Sequence, residues 1–207
     1  MIVSKPPFLL KSTTSSFINW KGPVSDKTIY LTFDDGPIPE ITPWVHKILE
    51  EFNAKATFFC VGDNVKKYPS IFEQTKALGH TVGNHSFHHL KAWSTPKEQY
   101  LNDVAEANRL IQSKLFRPPH GMLTPGLIRQ LRKNYAIVLW STIAYDFDQS
   151  ISPKKCLSIA MKKTTPGDII VFHDSIKAAP RMQYVLPIFL KTLTEEGFTF
   201  RSLPDLF

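Results

Sequence analysis

Apolar residues come in short runs along this chain, separated by stretches with a different period. The runs read TIYLTF (28–33), ATFFCV (56–61), HTVG (80–83), LFRP (115–118), YAIVLW (135–140), DIIVF (168–172) and FTFRSL (198–203). Several are apolar at consecutive rather than alternate positions, the mark of strands covered on both faces. Amphipathic stretches lie between them. Within PKEQYLNDVAEANRLIQSKL, the positions Leu101, Val104, Ala105, Asn108 and Ile111 approximate the helical period. Four such stretches open on a hydroxyl residue and a proline: Thr42-Pro43, Thr95-Pro96, Thr124-Pro125 and Ser152-Pro153. A capping hydroxyl followed by a first-turn proline is a helix start. The pattern predicts seven strands alternating with helices, an α/β architecture with a mainly parallel sheet. Periodicity alone does not distinguish an open sheet from a closed one.

The residues at the ends of these runs do. LTFDDGP (31–37) ends the first strand on Asp34 and Asp35. Two neighbouring carboxylates at a buried strand end repel each other unless a cation or an arginine separates their pKa values. HTVGNHSFHH (80–89) concentrates four of the seven histidines in ten positions. His85 and His89 are four apart, so one helical turn or a tight loop aims both at one ion. With one carboxylate they make a two-histidine, one-carboxylate set that leaves coordination positions open. His80 begins a strand, and His88 points about a quarter-turn from His89 if that segment is helical; both read as structural or exposed. FRPPHG (116–121) puts Arg117 at the end of the fourth strand, LWSTIAYDFD (139–148) puts Asp146 and Asp148 after the fifth, and IIVFHD (169–174) ends the sixth on His173 and Asp174. Parallel α/β folds build their sites at these C-terminal strand ends. Five strands contribute, too many for one crevice of an open sheet, so a barrel is expected. Trp93, just beyond the histidine loop, is the best candidate aromatic to stack on a ligand, whereas Trp44 and Trp140 fall in helix and strand patterns and read as core.

Composition narrows the picture. With 207 residues, 43% hydrophobic and 21% charged, the chain suits one globular domain with its own core. The net charge of +7 favours an anionic partner. Its lysines are scattered in pairs (Lys66-Lys67, Lys154-Lys155, Lys162-Lys163), so no nucleic-acid partner is expected. Cys60 and Cys156 are too few for a disulfide framework, and Cys60 within ATFFCV reads as a buried hydrophobe. No run approaches the ~18 apolar residues of a membrane helix. MIVSKPPFLLKSTTSSF lacks the apolar core of a signal peptide, so the chain as written reads as cytoplasmic; one trimmed of a leader reads the same, which keeps the cell envelope or secretion open. The expected division is an N-terminal extension, residues 1–26, followed by the main domain, 27–207.

From about Lys27 onward the sequence resembles the polysaccharide deacetylases, the carbohydrate esterase family with the chitooligosaccharide-deacetylase homology domain. The motifs stand in family order: Thr32-Phe33-Asp34-Asp35-Gly36, His85-Ser86-Phe87-His88-His89, Arg117-Pro118-Pro119-His120-Gly121, the Asp146 segment, and Val171-Phe172-His173. The resemblance implies a distorted (β/α)7 barrel and a divalent metal, most often zinc with cobalt or nickel as alternatives, held by Asp35, His85 and His89. It implies Asp34 as base and His173 as acid, with Arg117 positioning Asp34 and Asp146 orienting His173. His120, Phe147 and Val171 depart from the family's usual tyrosine, tryptophan and leucine; these positions are expected to line the acyl pocket or supply an oxyanion N–H. The implied substrate is an acetylated oligo- or polysaccharide. Three rival readings stand beside it: a C–N hydrolase of small cyclic amides on the same barrel, a non-catalytic sugar-binding relative, and a non-haem iron oxygenase.

Overall fold

Strand β1 (Thr28–Asp34) is buried at all seven of its positions, because both its faces are covered. The structure is a computed structural model that describes residues 5–7, 12–24, 27–162 and 164–204. Lys163 and part of the N-terminal stretch discussed above lie outside the described residues. Strand β1 is flanked in parallel by β2 (Thr57–Cys60) and β7 (Ile169–His173), and β8 (Thr199–Arg201) pairs along its first half. Beyond β2 follow β3 (Thr81–Asn84), β4 (Leu115–Phe116) and β5 (Ala136–Ile137); beyond β7 lies β6 (Thr142–Ile143). The order is β5-β4-β3-β2-β1-β7-β6, and every pairing is parallel.

The period-2 alternation of strands sorts the two faces of the sheet. Ile29, Leu31 and Phe33 of β1 point outward. There they pack on Val45 and Leu49 of α1 (Ile41–Glu51) and on Met182, Leu186 and Phe189 of α7 (Ala179–Glu195). Tyr30 points inward and joins Phe59, Leu115, Val138 and Ile169 from other strands in an interior cluster. Burial of such side chains contributes roughly 1.5–3 kcal/mol each. Closure shows directly at Arg117. In a flat sheet β4 and β1 would stand roughly 14 Å apart at ~4.8 Å per strand. Yet Arg117, just past β4, reaches Asp34 at the end of β1 with a 2.7 Å ion pair. The sheet is therefore curled into the expected distorted (β/α)7 barrel.

Strands β5 and β6 do not pair with each other in this order. They are two pieces of one extended stretch, 136–143, and residues 17–22 lie between its first part and the start of β7. Asn19 forms a parallel bridge with Val138, Lys21 an antiparallel one with Asp168, and Leu139 N–H donates to the Asn19 carbonyl. Ile18 and Trp20 are buried among Phe116, Leu127, Leu131, Ile137 and Leu139.

Several local expectations are corrected. Strand β6 was not expected; its two residues carry too little pattern to stand out. Thr124 caps α5 (Pro125–Leu131) and Ser152 caps α6 (Pro153–Ala160), each through a side-chain bond from a backbone N–H. Thr95 does not cap α4 (Lys97–Ile111), which has Pro96 as its N-cap residue. Helix α1 begins one residue before Thr42, whose hydroxyl is used in the site instead.

Candidate active site

The site begins with a break in strand alternation. Adjacent residues of a strand point to opposite faces, so Asp34 and Asp35 should diverge. They do not, because Asp35 leaves β1 with φ +86, in the left-handed region. Both carboxylates consequently line one cavity of about 310 Å³ at the C-terminal ends of the strands. His85, His89, His120, Phe147 and His173 line it too.

The histidine loop is tight and not helical. It follows β3 with positive φ at Ser86 and His89. Buried Asp103 of α4 shapes it, accepting from Phe87 N–H (2.8 Å), His88 N–H (3.1 Å) and the His88 ring (2.6 Å). That pairing turns His88 away from the site and toward solvent. His85 Nδ1 donates to the Arg117 carbonyl at 2.7 Å, which leaves Nε2 with its lone pair toward Asp35. Burial holds the His85 pKa down at about 4, against raising effects of Asp34 and Asp35, so the ring is neutral. Asp35 Oδ1 lies 3.9 Å from His85 Nε2 and 3.4 Å from His89 Nε2. Burial would raise the Asp35 pKa, but the His89 hydrogen bond and the His173 charge hold it well below the usual carboxylate range. Among the described residues, Asp35, His85 and His89 form the one group of three ligand atoms lying within 4.8 Å of one another. A neutral imidazole with its other nitrogen tied to a carbonyl, a second imidazole and an ionised carboxylate fit a divalent cation.

Two further pairs flank this triad. Arg117 is wholly buried and stacked on the Phe59 ring at 4.1 Å. Its guanidinium donates to Asp34 Oδ1 (2.7 Å), Thr32 Oγ1 (2.7 Å) and the carbonyls of Val138 (3.3 Å) and Leu139 (3.1 Å). Four fixed acceptors hold the fork, so Asp34 meets an immobile cation. On the other side, His173 Nδ1 donates to Asp146 Oδ1 at 2.7 Å, and its backbone N–H donates to Asp146 Oδ2 at 2.7 Å. Arg181 of α7 fixes the Asp146 carbonyl at 2.6 Å. Burial pulls the His173 pKa down, but Asp146, with help from Asp35 and Asp34, outweighs it and pushes it up to about 9.

The remaining expected residues divide. His120, at φ +59, stacks edge-on between His89 (4.7 Å) and Trp93 (5.5 Å), so Trp93 stands at the rim, half-exposed. Phe147 packs on the His173 ring at 4.9 Å. Val171, expected at the acyl pocket, is fully buried instead. Alternation puts it on the same face as His173 but one layer deeper, beneath the cavity floor. Asp148 stays outside the site, bonded to Ser150. His80 is structural: its Nδ1 accepts from Ala56 N–H, and its ring stacks on buried His46. Trp140, read as core, proves to wall the cavity, together with Ile143, Tyr145 and Lys177. Tyr145 beside Asp146 was a readable signal; Lys177, on the loop after His173, left none.

A curled α/β barrel with three residues that could hold a cation, a second carboxylate and a charged imidazole converging at its strand ends is the arrangement of a hydrolytic enzyme. The sequence model for polysaccharide deacetylases matches residues 21–137. A peptidoglycan-N-acetylglucosamine deacetylase of Bacillus cereus is 30% identical over 199 residues, spanning 93% of each chain. A chitooligosaccharide deacetylase of Azorhizobium caulinodans is 29% identical, over 87% of this chain and 94% of its own. The crystal structure of the Bc1960 peptidoglycan N-acetylglucosamine deacetylase superposes with a TM-score of 0.86 at 29% identity, covering 95% of both chains. The chain belongs to the polysaccharide deacetylase family.

Proposed function

We propose that this protein is a metal-dependent N-deacetylase acting on the N-acetylated sugars of peptidoglycan. The observation that carries this reading is the convergence in one cavity of the Asp35–His85–His89 triad with Asp34 on Arg117 and His173 on Asp146. The named activities of the relatives at about 30% identity support the choice of substrate, and the net charge of +7 suits an anionic cell wall.

Asp35, His85 and His89 hold the cation, with zinc favoured by the family resemblance and cobalt or nickel as substitutes. Such a cation supplies Lewis acidity, polarising an acyl oxygen and easing deprotonation of water at neutral pH. Asp34 is the base that takes a proton from the attacking water. Arg117 fixes the carboxylate in the attacking orientation. The backbone N–H of His120 donates to the developing oxyanion, a contact typically worth roughly 3–4 kcal/mol. His173, protonated and held by Asp146, delivers a proton to the departing amine nitrogen. Two adjacent aspartates thus divide the work, one neutralised by the cation and one left basic. Phe147 and Trp140 shape the acyl pocket, and Trp93 offers its face to a sugar ring at the rim.

The test is acetate release from peptidoglycan glycan strands, chitooligosaccharides and cyclic ureides, with and without chelator. Chelator-sensitive release from the acetylated sugars is expected. Turnover of ureides alone would replace this reading with the small-amide hydrolase, and metal binding without any turnover would replace it with the sugar-binding module.

A further inference from the structure

Asp35 owes its place beside the two histidines to a backbone conformation disfavoured for any residue with a Cβ. Such strain persists only where the surroundings over-determine it. Here one peptide plane is gripped at both edges. The Asp35 carbonyl accepts from Asn64 Nδ2 at 2.8 Å, and Gly36 N–H, in the same planar unit, donates to Asp174 Oδ1 at 3.0 Å. Asp174 is itself immobile. It is 1% exposed, and its backbone N–H donates to the Asp34 carbonyl at 3.1 Å. Its Oδ2 accepts from the Thr42 hydroxyl at 2.6 Å. The Thr42 oxygen also accepts from Ile38 N–H at 2.8 Å, so the one hydroxyl proton is committed to Asp174. The fit is close: a Cβ on Gly36 would fall 2.0 Å from Asp174 Oδ2. Neither Asp174 nor Asn64 lines the cavity.

We propose that Asp174 and Asn64 are positioning residues that lock the Asp35–Gly36 peptide and thereby aim the Asp35 carboxylate at the cation. The inference rests on the reading of Asp35, His85 and His89 as metal ligands. Without the clamp, the peptide rotates toward an ordinary φ and the carboxylate swings away from the histidines. His85 keeps its orientation through the Arg117 carbonyl. Loss of the clamp therefore weakens the site without erasing it.

The experiment measures the affinity of the full chain for Zn2+ by competition with a colorimetric chelator, together with the visible absorption of the Co2+ form. Asp174→Ala and Asn64→Ala are each expected to bind Zn2+ about 10- to 100-fold more weakly, with an altered Co2+ band. Circular dichroism establishes that each variant is folded. Should Asp174→Ala fail to fold, Asn64→Ala decides, since that side chain is partly exposed. Affinity within about twofold of the parent and an unchanged Co2+ spectrum would overturn the clamp. Asp35→Ala is the control. If it abolishes binding while the clamp variants are unaffected, only the clamp fails; if it too binds normally, the ligand assignment falls and the inference with it.

Discussion

Arg117 decides more of this site than any other residue. A buried guanidinium without its partner, or a buried carboxylate without its cation, costs about 3–5 kcal/mol. Arg117→Met therefore lowers stability by that amount in urea titration, because Asp34 is left charged and uncompensated at 4% exposure. Asp34→Asn is milder for the fold, since the amide oxygen still accepts from Arg117. It is severe for chemistry: kcat falls by roughly 10²–10⁴ with metal content unchanged, as expected for loss of a general base. The partner pair sets the alkaline limit. His173 must be protonated to act as an acid, and with its pKa at about 9 it remains so through neutral pH. The rate is expected to decline as pH rises through that value. Asp146→Asn removes the main effect raising it, so the decline moves to lower pH, read from a kcat–pH profile. Asp34, Asp35, Arg117 and His173 stood out in the sequence because each ends an apolar run or directly follows it, His85 and His89 through their spacing of four, and Asp146 as a carboxylate in the loop behind the fifth run. Asp174 was visible as a residue but not as a clamp. Its partners Gly36 and Thr42 are 138 and 132 positions away, brought near by the parallel pairing of β1 with β7.

Elements were legible where their pattern was long, and misread where a local rule met a tertiary demand. All four hydroxyl-proline pairs have the same sequence logic, yet the hydroxyl caps in only two. Thr42 is drawn into the Asp174 clamp, and α4 starts beyond Thr95. The difference is measurable. Ser152→Ala, which removes a cap bond to Lys155 N–H at 3.2 Å, costs about 1 kcal/mol, whereas Thr95→Ala is neutral in the same thermal melt. Strand β6 escaped notice because two residues carry no period. Trp140 escaped because, between β5 and β6 near the mouth, it both packs on the core and walls the cavity: its ring lies where a Cβ on Gly121 would meet it at 2.2 Å.

For the whole molecule, two buried histidines behind the sheet add to the loss of stability in acid. Burial holds His46 at about 4; burial, with lesser effects of His46 and Lys55, holds His80 at about 3. His46 Nε2 meets the Thr75 hydroxyl, while its Nδ1 has no partner and stays unprotonated. Unfolding releases both rings to an ordinary pKa near 6.5, so the unfolded chain binds more protons below that pH. The contribution of these two rings is then complete above about 6.5 and is lost as pH drops toward about 4 for His46 and about 3 for His80. Its slope is up to about 1.4 kcal/mol per pH unit for each ring. His80→Phe is expected to flatten that fall in denaturant titrations at pH 7 and pH 5.

The strap formed by residues 17–22 between β5 and the start of β7 has a consequence for how the enzyme fails. Residues 17–22 brace the stretch 137–139, and the carbonyls of Val138 and Leu139 are two of the four supports of Arg117. Peeling this strap away would leave the helices and most of the sheet standing while the guanidinium, and with it Asp34, lost its bearing. Warming should accordingly silence turnover several degrees before the far-ultraviolet signal collapses, and an enzyme shortened to begin at residue 23 should already be silent when cold.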